Sequence, residues 1–448
     1  VQDIYPLAPL REGILFHHLL QDSGDAYVLR NVFAFDSRAR MDVFVAAMQQ
    51  VIARHDILRT SFAWQGLAKP VQVVWREAPL TVQTFVPTGP EEVLAQLLAH
   101  TDPRLHRLSL ASAPLFVIDI AHDPASQEWL LALRFHHLVS DHATQELIVS
   151  EITAIVQGQT DILPAPLPYR NFVAQTLCVP TEVHETYFRD MLADVDEPTA
   201  PFGILAVQGN GSDIREIHQS LDASLAKAIR AQARRLSVSP GVLFHVGWAQ
   251  VVAQTSGKTD VVFGTVLLGR LQGLAGAGQV LGMFINTLPV RIKLAGRSAQ
   301  EAVQASYKSL MSLLKHEQAP LALAQRCSGV APSAPLFSAL LNYHHSQPSQ
   351  AVPPEGLRVL RSEERTNYPV VLTVEDLGEG FSLNAQTIVG IDAARLASYM
   401  TTAMQGLVEA LAHEPQRPIL SLSVLPAAER QQLLVEFNAT QKPYPDQA

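Results

Sequence analysis

Cysteine is nearly missing from this chain: 448 residues carry two, Cys178 and Cys327, far apart and without metal-ligand spacing. That excludes a disulfide framework and a cysteine-based zinc site, and it fits a reducing cytosol. Positive charge is also short, with 33 Lys+Arg against 42 Asp+Glu for a net −9. No basic stripe is available to follow phosphates, so nucleic acid is not expected as a partner. No run of about 20 uninterrupted apolar residues occurs, so no membrane-spanning helix is expected. The opening "VQDIYPLAPL" has no basic head followed by an apolar core and does not read as a signal peptide. There is no initiator Met and the end, "NATQKPYPDQA", is polar linker material, so a domain excised from a longer chain is expected.

What is present describes a well-buried globular protein: 48% hydrophobic and 17% charged residues. At roughly 150 residues per domain the length suggests two or three lobes. In "MDVFVAAMQQVIARH", Phe44, Met48, Val51 and Ile52 recur at helical spacing. "PVQVVWR" alternates, which predicts a strand with Val71, Val73 and Trp75 on one face. "EWLLALRFHH" is a second strand, and "TQELIVSEITAIVQG" a helix that Gly158 can terminate. The Pro-rich "GQTDILPAPLPYRN" is the best hinge. Beyond it, Asp222 caps a helix with Leu225, Ile229 and Leu236 on one face, and Ser239-Pro240 opens another as N-cap and first-turn proline. Ser298 and Glu301 form a capping box, "HSQPSQAVPPEG" is a Pro-rich loop, and "YPVVLTVED" a strand. Two α/β halves of similar size, meeting in a cleft, are predicted.

Among 16 histidines, three places hold two side by side, and two of these are "FHHLLQDSGD" (16–25) and "FHHLVSDHAT" (135–144). In the strand "EWLLALRFHH", period-two alternation puts His137 with Leu133 and Phe135, and His136 with Ala132 and Arg134 on the other face. A histidine leaving a buried strand into a cleft is suited to moving a proton near neutral pH. Asp141 can orient an imidazole or hold the turn by pairing with an arginine. The opening helix, "LREGILFHHLL", is apolar nearly all round and is expected to be buried. Neighbours on a helix diverge by about 100°, so His17 and His18 cannot both face one cavity.

"HHLVSDH" resembles the HHxxxDG signature of the condensation domains of nonribosomal peptide synthetases. "RHDILRTSF" (54–62), "YRNFVAQ" (169–175), "DVVFGTVLLGR" (260–270), "LGMFINTLPVR" (281–291), "HEQAPLALAQ" (316–325) and "PLFSALLNY" (335–343) follow the family's other blocks in order. "LLVEFNATQKPYP" resembles the linker into an adenylation domain. The resemblance implies an α/β fold of two chloramphenicol acetyltransferase-like lobes, a V-shaped pseudo-dimer with a central substrate tunnel. It divides the chain into an N-terminal lobe (1–175), a C-terminal lobe with the floor loop (176–430), and the start of a linker (431–448). It implies a cytoplasmic enzyme whose partners are a donor and an acceptor carrier domain and an adjacent adenylation domain, without nucleic acid or membrane. Substrates ride on phosphopantetheine arms, and the domain itself holds no cofactor or metal. His137 corresponds to the histidine at the reaction centre and His136 to its motif neighbour. Asp141 corresponds to the motif aspartate, expected to pair with Arg291 and brace the loop. Asn286 corresponds to the motif asparagine, read either as a hydrogen-bond donor in the tunnel or as a strand-end residue.

One position departs from the pattern: His142 stands where the signature has glycine. That variant resembles the dual epimerisation/condensation subclass, which also carries an extra block that opens with a double histidine and closes on Gly-Asp. Here it is His17, His18, Gly24 and Asp25, with the last two read as supports of the loop. The subclass implies that the donor's terminal L residue is inverted to D on its thioester before joining, with His137 as the base and the partner acid unassigned. A condensation-only domain, a stand-alone acyltransferase using coenzyme A, and a non-catalytic member that recruits a tailoring enzyme are the competing readings.

Overall fold

The computed structural model describes residues 1–20, 24–25, 27–205, 214–270, 277–345, 355–363 and 368–440. Most of the loop "HSQPSQAVPPEG" lies outside the described residues.

Two main sheets organise the chain. The first has five strands in the order Leu357–Glu363, Val28–Phe35, Glu128–His136, Phe116–Asp123 and Thr81–Thr84. Its last pair is parallel and the others are antiparallel. Alternation decides its two faces. Leu131, Leu133 and Phe135 join Phe44, Met48, Val51, Ile52, Ile148 and Ile152 from the helices Arg38–Arg54 and His142–Val156 in one core. Leu130 and Ala132 face the other way, against Leu97 of the helix Val93–His100. Arg134 shares that second face, where its guanidinium pairs with the buried Asp119 at 2.8 Å.

The second sheet has six strands in the order Asn286–Lys293, Asp260–Leu267, Ala339–His345, Val370–Asp376, Phe381–Ile388 and Ile214–Ser220. Ala339–His345 is parallel to both neighbours. The helices Ala223–Leu236, Pro240–Ser256, Ala299–Leu314 and Ala393–His413 supply most of the remaining core. Residues 242–253 of Pro240–Ser256 are buried on every side, which is why its sequence shows no polar face. No single helix among the described residues is long and apolar enough to cross a membrane.

The two halves are stitched in both directions. Leu357–Glu363, which follows four strands of the second sheet in sequence, pairs with Val28–Phe35 in the first. Val280, Leu281, Met283 and Phe284 leave the second half and enter the core of the first, with Phe284 packing on Phe172 at a centroid distance of 4.4 Å. Fully burying apolar side chains of this size stabilises by about 1.5–3 kcal/mol each. Gly282 makes the insertion possible: at φ +143° its α-carbon lies against the Tyr169 ring, where a Cβ would collide.

Several sequence expectations are corrected. In the strand Val71–Val74 the buried residues are Gln72 and Val74, not Val71 and Val73, and Trp75 is exposed. Gln72 is buried because it accepts from the Arg11 guanidinium and donates to Pro6 O at 2.9 Å. The opening helix, Pro9–Leu20, buries one face only: Arg11, Ile14, Leu15 and His18 are inside, while Phe16, His17 and Leu19 are exposed. Ser239 precedes its helix without a side-chain capping bond. The capping box at Ser298 and Glu301 forms with both bonds, 3.3 and 2.9 Å.

Candidate functional site

The strand Glu128–His136 ends at His136, and residues His137–Val139 turn as a single 3₁₀ step before Asp141 caps the helix His142–Val156. Three hydrogen bonds hold this loop locally. His137 N–H donates to Tyr27 O at 2.8 Å, Leu138 N–H donates to His136 Nδ1 at 3.1 Å, and Thr144 N–H donates to Asp141 Oδ1 at 2.8 Å. His137 Nδ1 lies 2.9 Å from Ser140 O, which can only accept, so Nδ1 carries the hydrogen. In the neutral ring that leaves Nε2 of the half-buried His137 as the lone-pair nitrogen, the form a general base requires.

The opening block folds onto the same loop. Asp25 Oδ2 lies 2.5 Å from His18 Nδ1 and 3.1 Å from His136 Nε2, and Asp25 Oδ1 accepts from Tyr27 N–H at 2.9 Å. Burial by itself would raise the Asp25 carboxyl. The hydrogen bonds from His136 and His18 outweigh it and hold the group well below the usual carboxylate range. Burial pushes the His136 imidazole down, with Asp25 opposing. Gly24 is required here: it sits at φ +66° with the Arg104 carbonyl where a Cβ would be. His17 takes the other direction from His18, outward and against the Tyr27 ring at a centroid distance of 6.2 Å, and the partial loss of water on that side lowers its pKa.

Asp141 is the tie to the second half. Arg270 Nη2 reaches its Oδ1 at 3.0 Å, and Phe284 N–H donates to its Oδ2 at 3.0 Å. Arg270 also donates to Thr144 Oγ1 at 3.0 Å and to Val280 O at 2.6 Å, and lies 4.0 Å over the Phe284 ring. Thr144 Oγ1 donates to Gly282 O at 2.6 Å. The expected partner, Arg291, is elsewhere. It stands opposite Val262 in the second sheet and pairs with Asp260 at 2.6 Å and with Asp194. Both arginines end a motif block, so spacing alone did not separate them.

Of the two readings of Asn286, its hydrogen bonds fit the strand-end one. Its buried amide donates both hydrogens to backbone carbonyls, Glu317 O at 2.8 Å and Ala319 O at 2.7 Å, leaving none for a substrate. It is a strand-start residue that fixes the segment after the helix Ala299–Leu314. His142 is exposed at the first helical position, so no left-handed backbone calls for glycine there. Its ring approaches His344 of the second half at 5.1 Å between centroids, and its Nε2 lies 3.5 Å from Glu146 Oε1. Arg270, Thr144 and Tyr27 were missed as site residues; the one signal for Arg270 was its position closing "DVVFGTVLLGR".

The condensation domain profile matches residues 1–434. The chain belongs to the condensation-domain family. It is 48% identical to malpinin synthetase and 44% identical to malpibaldin synthetase, both of Mortierella alpina, in each case over 100% of its own length. It spans only 6% and 8% of those two relatives. The fold superposes on the first condensation domain of the calcium-dependent antibiotic synthetase with a TM-score of 0.74 at 18% identity, covering 95% of this chain and 100% of the other. It superposes on the X-domain from teicoplanin biosynthesis, solved in complex with OxyB, with a TM-score of 0.77 at 17% identity, covering 95% and 97%. At such identities these likenesses concern the fold.

Proposed function

We propose that this condensation domain inverts the terminal L residue of a carrier-bound donor to D and then joins it to an acceptor aminoacyl carrier. Donor and acceptor arrive as phosphopantetheine thioesters through a tunnel between two chloramphenicol acetyltransferase-like lobes, the arms belonging to an upstream and a downstream carrier domain. An adenylation domain follows the linker that begins near residue 431.

In the first step the thioester acidifies the α-carbon, His137 Nε2 takes the proton and later releases it to solvent, and the enolate takes a solvent-derived proton on its opposite face. In the second the acceptor amine attacks the thioester carbonyl, the C–S bond of the tetrahedral intermediate breaks, and the amine's surplus proton ends on the departing thiolate. Bringing two tethered reactants together supplies roughly 7–11 kcal/mol, and a positioned base about 10²–10⁴ in rate. His137 therefore matters most where a carbon acid is deprotonated; toward a neutral amine it orients and stabilises as much as it removes a proton.

One observation carries the reading: the opening block is hydrogen-bonded to the reaction loop, with one Asp25 oxygen shared by His18 and His136. The test is isotopic. Incubating an L-terminated donor carrier with the domain in D₂O is expected to place deuterium at the terminal α-carbon, and the condensed product is expected to carry a D residue at the junction. Condensation without exchange and with an L residue retained would assign a condensation-only domain. No turnover with either loaded carrier would assign a recruiting role.

A further inference from the structure

Asp25 is a buried three-way junction between His18, His136 and the Tyr27 backbone, and its own N–H donates to Pro103 O at 3.1 Å. The two imidazoles meet edge to face, 5.7 Å between centroids. One oxygen and one nitrogen from each ring lie within 4.8 Å of one another, all on buried side chains.

Two chemistries use such a set. Two imidazoles and a carboxylate can ligate a metal ion; equally, a carboxylate can orient two imidazoles through their N–H groups. A backbone hydrogen decides between them. Leu138 N–H points at His136 Nδ1, so Nδ1 is an acceptor and the ring hydrogen sits on Nε2, facing Asp25. A metal on Nε2 would leave that ring without hydrogen on either nitrogen. Metal-bound histidines do the reverse and donate from the second nitrogen. The junction is therefore built from hydrogen bonds.

Its reach covers both approaches to the reaction loop. Through Oδ2 it holds the His136 ring, whose Nδ1 anchors the Leu138 N–H inside the turn. Through Oδ1 it holds the Tyr27 backbone, whose carbonyl receives the His137 N–H. We propose that Asp25 is the positioning residue of the reaction loop, acting through His136 and Tyr27 to present His137 Nε2. Asp25 thus serves both chemical steps by setting the loop, through His136 and the Tyr27 backbone. This rests on the reading of His137 as the reacting histidine.

Asp25→Asn is the informative variant, because an amide offers one acceptor oxygen where three donors converge. Condensation and α-proton exchange are each expected to lose about 10–100-fold in kcat, the scale known for removing the carboxylate that orients a metal-bound histidine, with KM for the carriers unchanged. In ¹⁵N-histidine spectra of the wild-type chain, His136 is expected as the Nε2–H tautomer, and that signal is expected to change in the variant. Wild-type rates in Asp25→Asn overturn the proposal. So does a wild-type spectrum with His136 protonated on Nδ1, which is decisive even where the variant fails to fold. Stoichiometric bound metal whose chelation abolishes activity overturns it as well. If the wild-type domain exchanges no deuterium, the epimerisation reading fails, and the condensation rate of Asp25→Asn still tests the positioning role.

Discussion

Arg270 crosses between the halves of the molecule to reach Asp141, 129 residues earlier in the chain, at 3.0 Å. Both side chains are almost wholly inside, and Asp141 also receives the Thr144 and Phe284 backbone N–H groups. Removing one partner of a buried pair leaves the other charge uncompensated, at a cost of about 3–5 kcal/mol. Arg270→Ala is therefore expected to lower the urea midpoint strongly and to depress condensation. Arg291→Ala is expected to spare kcat, because its carboxylate partners Asp194 and Asp260 lie away from the reaction loop and are partly exposed. Equal losses of kcat in the two variants would contradict this division.

Among the described residues His137 makes one side-chain hydrogen bond, to Ser140 O, and it is only half-buried. Its loss should therefore be felt in chemistry and hardly in folding. His137→Ala is expected to reduce turnover by about 10²–10⁴ with a melting temperature close to wild type. His136→Ala is expected to do both kinds of harm, since that ring is fully buried between Asp25 and the Leu138 N–H. Paired rate and melting measurements separate the two.

Asn286 holds two carbonyls with one amide. Asn286→Asp would aim a buried carboxylate at those same carbonyl oxygens, whereas Asn286→Ala merely leaves them unpaired, at about 1–3 kcal/mol for each buried polar group so abandoned. The aspartate is thus expected to be the more destabilising change despite its near-identical shape. Thermal unfolding of the two variants gives the order; a milder effect in the aspartate would mean that the amide hydrogens are not what matters.

These relationships mark where sequence reading ran out. Local rules reached the strand ending in His136, since Leu131, Leu133 and Phe135 alternate against Leu130, Ala132 and Arg134, and they reached the capping box at Ser298. They also required His17 and His18 to diverge, but not which one turns inward, because that depends on Asp25 seven residues on and His136 far beyond. In the strand Val71–Val74 alternation alone selects the wrong buried face for a similar reason. An apolar-in rule cannot expect a buried Gln72 until Arg11 is known to lie beside it. Choosing Arg270 over Arg291 needs a contact across the two halves, which no spacing of three, four or two residues encodes.

Gly24 separates backbone conformation from close packing. It and Gly66 both adopt positive φ, at +66° and +71°, but only Gly24 has a neighbour, the Arg104 carbonyl, where a Cβ would go. Gly66→Ala is expected to cost about 1–2 kcal/mol from the left-handed backbone alone. Gly24→Ala is expected to cost more and also to lower turnover, because the displaced residue is next to Asp25. Chemical unfolding and rate measurements on the pair test this, and equal stability losses would remove packing from the account.

His245 gives the fold an acid limit independent of the reaction. Its ring is buried, with Nδ1 donating to Gly241 O at 2.7 Å and Nε2 accepting from Thr265 Oγ1 at 2.8 Å. Burial lowers its pKa from 6.5 to about 4, the Gly241 carbonyl opposing only in part. A depressed folded-state value means that the unfolded chain binds the proton first. Stability is thus complete above about pH 6.5 and falls as pH drops from there toward 4, by about 3 kcal/mol from this one group at 1.36 kcal/mol per pKa unit. The buried His136 and His184 and the half-buried His316 are shifted the same way by desolvation and add to the trend. His245→Asn removes the titrating ring while keeping a polar side chain, so it is expected to flatten the pH dependence of the urea midpoint between pH 6.5 and 4 even if it lowers the midpoint at pH 7. An unchanged slope in that window would place the acid sensitivity on the other histidines.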